Sequence, residues 1–277
     1  MKTVTLPSGE KIPALGQGTW FMGEDSGRRK EEIATLRRGV DIGLGLIDTA
    51  EMYGDGRSEE LVGEAIVGRR NDVFLVSKVY PHNASREGVL AACERSLRRL
   101  KTDRIDLYLL HWRGGVPFSE TVSGFETLQR AGKIRYWGVS NLDLGDMLEL
   151  AAVPGGGQVA TNQLLYNLTR RGIEFDLLPW CEKHRLPVMA YSPIEQARLL
   201  RHAGLMHLAA ELGQTPSQLS LAWVLRRDGV VAIPKTSNSR HLEDNVRAVE
   251  TTVTPQIEAE LDKLFPPPKR PVPLEML

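Results

Sequence analysis

Val73-Phe74-Leu75-Val76-Ser77-Lys78-Val79 is the stretch on which the fold turns. Its opening run of four apolar residues does not alternate, so it cannot be a strand with one face in water. A run buried on both faces suits a barrel strand, with side chains of the barrel interior on one side and helices on the other. Similar short runs recur along the chain at Leu15–Thr19, Leu46–Thr49, Ile105–His111, Ile134–Ser140, Ala160–Leu165, Pro187–Tyr191 and Val230–Pro234. Amphipathic segments separate them, at Glu31–Ile42, Glu59–Val67, Val89–Leu100, Phe118–Arg130, Gly145–Ala151, Phe175–His184 and Ser239–Val249. Two more, Leu200–Leu212 and Pro216–Arg227, lie between the last two runs. Strands alternating with helices predict an α/β fold with a parallel sheet and helical crossovers.

Ahead of these units, Thr3–Leu6 and Lys11–Ala14 flank the turn Pro7-Ser8-Gly9-Glu10, which predicts a β-hairpin able to cap a barrel floor. Thr254-Pro255 starts a final helix through Leu264, and Pro266-Pro267-Pro268 ends it, leaving an irregular tail. No repeat or linker divides the chain, so residues 1–277 are read as one domain.

The 35 basic and 35 acidic residues cancel, which excludes the basic footprint of a nucleic-acid binder; any anionic ligand must meet a local cluster. No apolar leader or membrane-length run is found, so a cytoplasmic protein without a membrane partner is expected, with a monomer as the default. Cys93 and Cys181 lack metal or redox spacing and read as buried thiols. No metal is expected.

In parallel barrels, chemistry gathers where strands end, because the loops leaving those ends surround one mouth. Asp48, Lys78, His111, Ser140-Asn141, Gln163, Tyr191 and Lys235 all fall at such ends. Each alone has an ordinary structural reading, as a cap, an exposed strand end or a satisfied core histidine. Together they form a polar mouth that would cost stability unless its groups were paired or used. Tyr53, five residues beyond Asp48, is a weak acid near neutrality, and a buried Lys78 held charged by Asp48 would polarise it. His111 could donate to a substrate oxygen. The competing reading of Lys78 is a Schiff-base amine, as in a barrel aldolase.

These residues stand in pieces that resemble the aldo-keto reductases, and most closely the bacterial branch that includes methylglyoxal reductases. The pieces are Gly45-Leu46-Ile47-Asp48-Thr49-Ala50-Glu51-Met52-Tyr53-Gly54, Val76-Ser77-Lys78, Asp106-Leu107-Tyr108-Leu109-Leu110-His111-Trp112 and Gly132-Lys133-Ile134-Arg135-Tyr136-Trp137-Gly138-Val139-Ser140-Asn141, then Asn162-Gln163, Ala190-Tyr191-Ser192-Pro193 and Ile233-Pro234-Lys235. The resemblance implies a (β/α)8 TIM barrel with a hairpin plug, and NADPH-dependent reduction of aldehydes or ketones. It implies Asp48, Tyr53, Lys78 and His111 as a catalytic tetrad with Tyr53 as general acid.

By the same resemblance, Ser140, Asn141 and Gln163 would bind the nicotinamide carboxamide and Tyr191 would stack on its ring. Ser192 and Ile194 would line the pyrophosphate crossing, Gly18 and Thr19 would approach the ribose, and Asn245 would meet the adenine. Many relatives carry arginine where this chain has His241, preceded by Arg240. Lys235, Thr236 and Ser237 still offer a cation and two hydroxyls for a 2′-phosphate, so NADPH is favoured over NADH. Trp20, Tyr80 and Trp112 flank strand ends and are expected to wall the substrate site. The short loop after His111 and the short tail imply few enclosing elements, hence small reactive carbonyl substrates such as methylglyoxal. A nicotinamide-binding redox sensor with slow turnover is the alternative.

Overall fold

Ten strands and ten helices build the chain in the computed structural model, which describes residues 2–277; residue 1 of the expected domain lies outside the described residues. Strands β1 (Thr3–Thr5) and β2 (Lys11–Pro13) pair antiparallel as the hairpin. Eight parallel strands follow, β3 (Gln17–Gly18), β4 (Leu46–Asp48), β5 (Phe74–Val79), β6 (Ile105–Leu110), β7 (Ile134–Ser140), β8 (Asn162–Leu165), β9 (Val188–Tyr191) and β10 (Val230–Ile233). They neighbour one another in sequence order. The ring closes through backbone bonds between the first and last strands: Gly16 N–H donates to the Ala232 carbonyl at 2.9 Å, and Gly18 N–H to the Pro234 carbonyl at 3.0 Å. At Gly18 an added Cβ would sit 2.7 Å from the Ile233 carbonyl oxygen, so the closure requires glycine there.

The crossovers are α1 (Arg29–Asp41), α2 (Arg57–Ala65), α3 (Arg86–Leu100), α4 (Phe118–Arg130), α5 (Leu144–Ala152) and α6 (Leu177–Lys183). After β9 come α7 (Ala203–Glu211) and α8 (Pro216–Leu225), and after β10 come α9 (Ser239–Arg247) and α10 (Pro255–Leu264). Their boundaries follow local chemistry. Thr215 caps α8 by accepting from Gln218 N–H, Gln218 returns the bond, and Pro216 occupies the first turn where no N–H is needed. At α10, Thr254 accepts from Ile257 N–H and Pro255 fills the first turn, without a returned bond.

Most element ends move by one to three residues from the sequence reading, and two of these shifts have a clear local cause. The first strand shrinks to Gln17–Gly18 because Leu15 makes only an isolated bridge to Ala232 before the backbone turns towards the mouth. The segment read as one helix from Leu200 splits, a short 3-10 turn at Leu199–Arg201 preceding α7, because His202 is extended and caps α7 with its imidazole.

Every residue of β5 and β6 is buried, which is the double-sided burial implied by the apolar run at Val73. Phe125 of α4 stacks on Trp137 of β7 with ring centres 5.5 Å apart, sealing sheet to helix. Cys93 and Cys181 are buried thiols, and burial pushes both up to about 12.

The two ends of the barrel carry different polar work. At the strand N-termini, buried Asp106 accepts from Leu75 N–H at 2.9 Å, Arg70 Nη2 at 2.7 Å and Arg135 Nη1 at 3.0 Å. Arg135 also donates to Glu10 of the hairpin at 2.5 Å, and Tyr136 Oη donates to the same carboxylate at 2.6 Å. This network pins the hairpin across the floor, far from the mouth, where barrels invest in stability. Asp106→Ala leaves two guanidinium groups without their shared acceptor and should lower the unfolding free energy by about 3 kcal/mol in urea titrations. Catalytic parameters measured well below the transition should stay within about twofold of wild type, since the floor network lies at the end of the barrel opposite the chemistry.

Candidate active site

At the opposite end, the strand termini converge on Lys78, whose side chain has no solvent exposure. An ammonium has three donors, and all three are used here. Lys78 Nζ donates to Asp48 Oδ2 at 2.8 Å, to the Thr49 carbonyl at 2.9 Å and to Tyr53 Oη at 3.0 Å. Because Tyr53 accepts from Lys78, its own O–H proton points elsewhere, and the ring lines the cavity. Asp48 Oδ1 accepts from Gln163 Nε2 at 2.8 Å, so both carboxylate oxygens are held.

The backbone places Tyr53 by an abrupt reversal. Gly54 at φ 57°, Asp55 at φ 54° and Gly56 at φ 89° are left-handed in succession before α2 begins. Glycine meets that requirement without cost at two of the three positions. Beneath, Thr19 Oγ1 donates to the Asp48 carbonyl at 2.9 Å and Ser58 Oγ donates to Thr19 Oγ1 at 2.8 Å, fixing the end of β4.

Burial, the largest influence on Tyr53, raises its phenol above the ordinary value; the Lys78 charge opposes this and Asp48 adds to it. The lysine therefore does not turn the phenol into a phenolate, as its charge alone would favour, and Tyr53 keeps its proton at neutral pH. Burial also works against the Lys78 ammonium, but Asp48 and Tyr53 outweigh it and hold Lys78 above its ordinary range. His111, its ring centre 5.9 Å from that of Tyr53, is held well below its ordinary value by burial and then by Lys78. Its Nδ1 is buried with no protein partner.

Two adjoining cavities share Trp20, Tyr53 and Tyr191. The first, about 200 Å³, is lined by His111, Trp112, Ser140, Asn141 and Gln163 together with Met52, Met276 and Leu277. The second, about 320 Å³, runs past Gly18, Thr19, Phe21, Ser192, Pro193 and Ile194 to Lys235. An amide and hydroxyl cluster thus lies at one end and a half-buried cation at the other. Lys235 makes no ion pair among the described residues, and burial lowers it from its ordinary value, with Arg28 adding to the effect against Glu32 and Glu24. An amphipathic trough with an uncompensated cation at one end fits an extended anionic cofactor.

The expected cofactor residues fall into two groups. Gly18, Thr19, Tyr191, Ser192, Ile194 and Lys235 line the trough, and Ser140, Asn141 and Gln163 line the adjoining cavity. Asn141 Nδ2 donates to the His111 carbonyl, and Tyr191 Oη donates to Asn141 Oδ1 at 2.9 Å. Thr236 lies in the loop before α9, and Arg240 and His241 in its first turn are exposed, with their backbone N–H groups donating to Asn238. Ser237 turns inward, its hydroxyl donating to buried Glu32 at 3.3 Å. Asn245 is buried, its Oδ1 accepting from Ser217 at 3.1 Å.

Trp20 and Trp112 line the cavities, whereas Tyr80 lines neither; it stacks on His82 and meets Trp112 edge-on at 5.9 Å, supporting that ring from behind. Sequence reasoning missed Phe21, Met52, Met276 and Leu277, which are exposed apolar side chains around this one mouth. Their signal was large apolar residues beside strand-end motifs and in a polar tail. The mouth is thus more enclosed than a short loop and tail suggested.

A parallel eight-stranded barrel with a phenol, an ammonium, a carboxylate and an imidazole at its strand ends defines the class of barrel oxidoreductases. The aldo/keto reductase family model matches residues 14–265. Methylglyoxal reductase YeaE of Escherichia coli is 52% identical, the match covering 100% of this chain and 99% of the relative. Glyoxal reductase of Bacillus subtilis is 31% identical over 95% of this chain and 92% of its own. The crystal structure of an aldo/keto reductase from Klebsiella pneumoniae in complex with NADP and acetate aligns with a TM-score of 0.97 at 52% identity, covering 100% of this chain and 99% of that one. The chain belongs to the aldo/keto reductase family. No helix among the described residues is long and apolar enough to cross a membrane.

The state of His111 is open to measurement. Its depressed value keeps the imidazole neutral as pH falls through 6.5. Carbonyl reduction should therefore hold level from pH 8 down to about 5.5, where an ordinary histidine would already be mostly charged. A kcat/KM profile with a limb centred near 6.5, the ordinary histidine value, would contradict this assignment.

Proposed function

We propose that this chain reduces small reactive aldehydes and ketones, methylglyoxal first among them, with NADPH as reductant and Tyr53 as general acid. The observation that carries the reading is the Tyr53 hydroxyl at the junction of the two cavities, accepting from a lysine whose other two donors are already spent. Similarity to the Escherichia coli methylglyoxal reductase and to the NADP-bound Klebsiella enzyme supports both substrate class and cofactor.

The residues divide the work by position. Lys235, with the start of α9 and Thr236, would hold a 2′-phosphate; Ser192 and Ile194 would flank the pyrophosphate; Tyr191, Ser140, Asn141 and Gln163 would position a nicotinamide. Bound in reduced form, the cofactor supplies a hydride to the carbonyl carbon. The carbonyl oxygen, gaining charge, takes a hydrogen bond from neutral His111 and then the proton of Tyr53. Lys78 stabilises the phenolate left behind, at a distance where a full charge pair in low dielectric is strongly favourable. Asp48 keeps Lys78 charged for that moment, and Gln163 keeps Asp48 aimed. Trp20, Trp112 and the exposed apolar rim exclude water around a cavity sized for few heavy atoms.

Ser237 is turned to Glu32, so the phosphate preference is proposed to rest chiefly on the Lys235 cation.

Two variants test the assignment. Tyr53→Phe should lower kcat about 10³-fold on methylglyoxal while NADPH still quenches tryptophan fluorescence, the scale of a lost general acid. Equal turnover in both proteins would sink the acid role. Lys235→Met should raise the KM for NADPH about tenfold while leaving NADH kinetics nearly unmoved, since only the phosphate ester is lost as a partner. Matching losses with both cofactors would remove Lys235 from the phosphate site.

A further inference from the structure

Residues 265–277 have no regular secondary structure, yet they return to the mouth, where Met276 and Leu277 line the cavity beside Tyr53 and His111. Two adjacent arginines after β8 hold this tail at its ends. Arg171 Nη1 donates to the Phe265 carbonyl and to Asp262 Oδ1, both at 2.6 Å. Arg170 Nη1 donates to Glu275 Oε1 at 2.5 Å. Between these points Leu274 packs against the core. Val272 sits over Gly172, where a Cβ would come within 2.5 Å of it, and cavities of about 200 and 660 Å³ flank the segment from Val272 to Glu275.

The same Arg170 reaches the other side of the site. Its Nε and Nη2 donate to Glu195 Oε1 at 3.2 and 3.1 Å. Glu195 is 5% exposed and sits in the loop after β9, whose Ser192, Pro193, Ile194, Gln196 and Ala197 line the trough towards Lys235. Asn167 fastens that loop as well, its Nδ2 donating to Glu195 Oε2 at 2.7 Å and to the Ser192 carbonyl at 2.9 Å. Arg198 is the third residue to donate to Glu195, its Nη2 at 3.1 Å. Four residues of this loop, Ser192, Glu195, Gln196 and Ala197, are non-glycine yet left-handed, a strain that these bonds offset.

We propose that Arg170 is a positioning residue that couples the trough-lining loop to the substrate wall, by bridging Glu195 and Glu275. A ligand that settles residues 192–197 fixes Glu195, and through it the guanidinium whose free edge docks Glu275 and seats Met276 and Leu277 over the substrate. Occupation of the trough then tightens the small-carbonyl pocket. This coupling rests on the NADPH reading above, and it is reciprocal: a docked tail strengthens cofactor binding by the same factor.

The test reads the tail directly. Lys269 is exposed, and trypsin cleavage of the Lys269–Arg270 bond reports release of the tail. NADPH should slow this cleavage of the full chain about fivefold, and the protection should vanish in Arg170→Gln and in Glu275→Gln. Glu275→Gln leaves the Arg170–Glu195 pair intact, so it isolates the tail link even where Arg170→Gln unsettles the loop. In Glu275→Gln the KM for methylglyoxal should rise about fivefold with kcat within twofold, as loss of a wall contact rather than of chemistry predicts. Protection undiminished in both variants, or NADPH bound by wild type without any protection, overturns the coupling. Wild type that binds no NADPH in a fluorescence titration overturns the cofactor reading, and the coupling with it.

Discussion

A lysine ammonium with no exposure to water is the constraint on which this molecule is organised. Stripped of solvent, such a group survives as a cation only if the protein replaces every hydrogen bond that water made. Here the replacements come from three places brought together by the barrel alone: Asp48 at the end of β4, the carbonyl that follows it, and Tyr53 on the reversal before α2. Parallel strands in sequence order set β4 beside β5, with Asp48 in register with Val76 and Lys78 two residues further on, at the rim. Without the strand pairing, the charge would have no partners. Without the charge, the acid would have no neighbour able to take its place when its proton leaves.

Polar groups are buried at both ends of the barrel, and the contrast between the ends shows how burial separates stability from function. On the floor, Asp106 is fully matched by a backbone N–H and two guanidinium groups, and Arg135 passes the charge on to the hairpin. That network is satisfied within the protein. At the mouth, His111 Nδ1 is buried without a partner and Lys235 has no ion pair among the described residues. Exposed Phe21, Met52, Met276 and Leu277 crowd the same opening. A folded chain tolerates unmet polar and apolar surface where a ligand completes it.

Much of this was legible in the residues because barrel strands leave a local trace. Double-sided burial at Val73–Val79 and a polar residue at the end of run after run mark both the fold and its mouth, and each signal lies within about ten residues. The parts that escaped depend on distant partners. Glu275 has meaning only beside Arg170, which is 105 residues earlier, and no periodicity marks an extended tail that packs by one ion pair and a few side chains. Ser237 reads as a phosphate hydroxyl from its neighbours Lys235 and Thr236, but its rotamer answers to Glu32, 205 positions away. Tyr80 follows a strand end as Trp112 nearly does, yet Glu51 accepts from its backbone N–H at 2.8 Å and sets the ring behind Trp112 instead of over the cavity.

The proton inventory supports Tyr53 as the acid in the proposed reduction. A general acid needs a proton at working pH and a reason to release it during reaction. His111 has its imidazolium suppressed by burial and by the nearby ammonium, so near neutrality it offers a hydrogen bond and no proton. Lys78 has protons but is held charged, and all three are engaged with acceptors that would be orphaned by its loss. Tyr53 alone combines a retained proton with a hydroxyl whose acceptor role is filled by Lys78, leaving its donor free to face the cavity. Its raised resting value is no obstacle to transfer. An alkoxide forming at the carbonyl is a far stronger base than any phenolate, and the ammonium 3.0 Å away stabilises the anion that remains. In the proposed reduction, the burial that makes Tyr53 a reluctant acid in the resting chain would preserve its proton until a developing oxyanion calls for it.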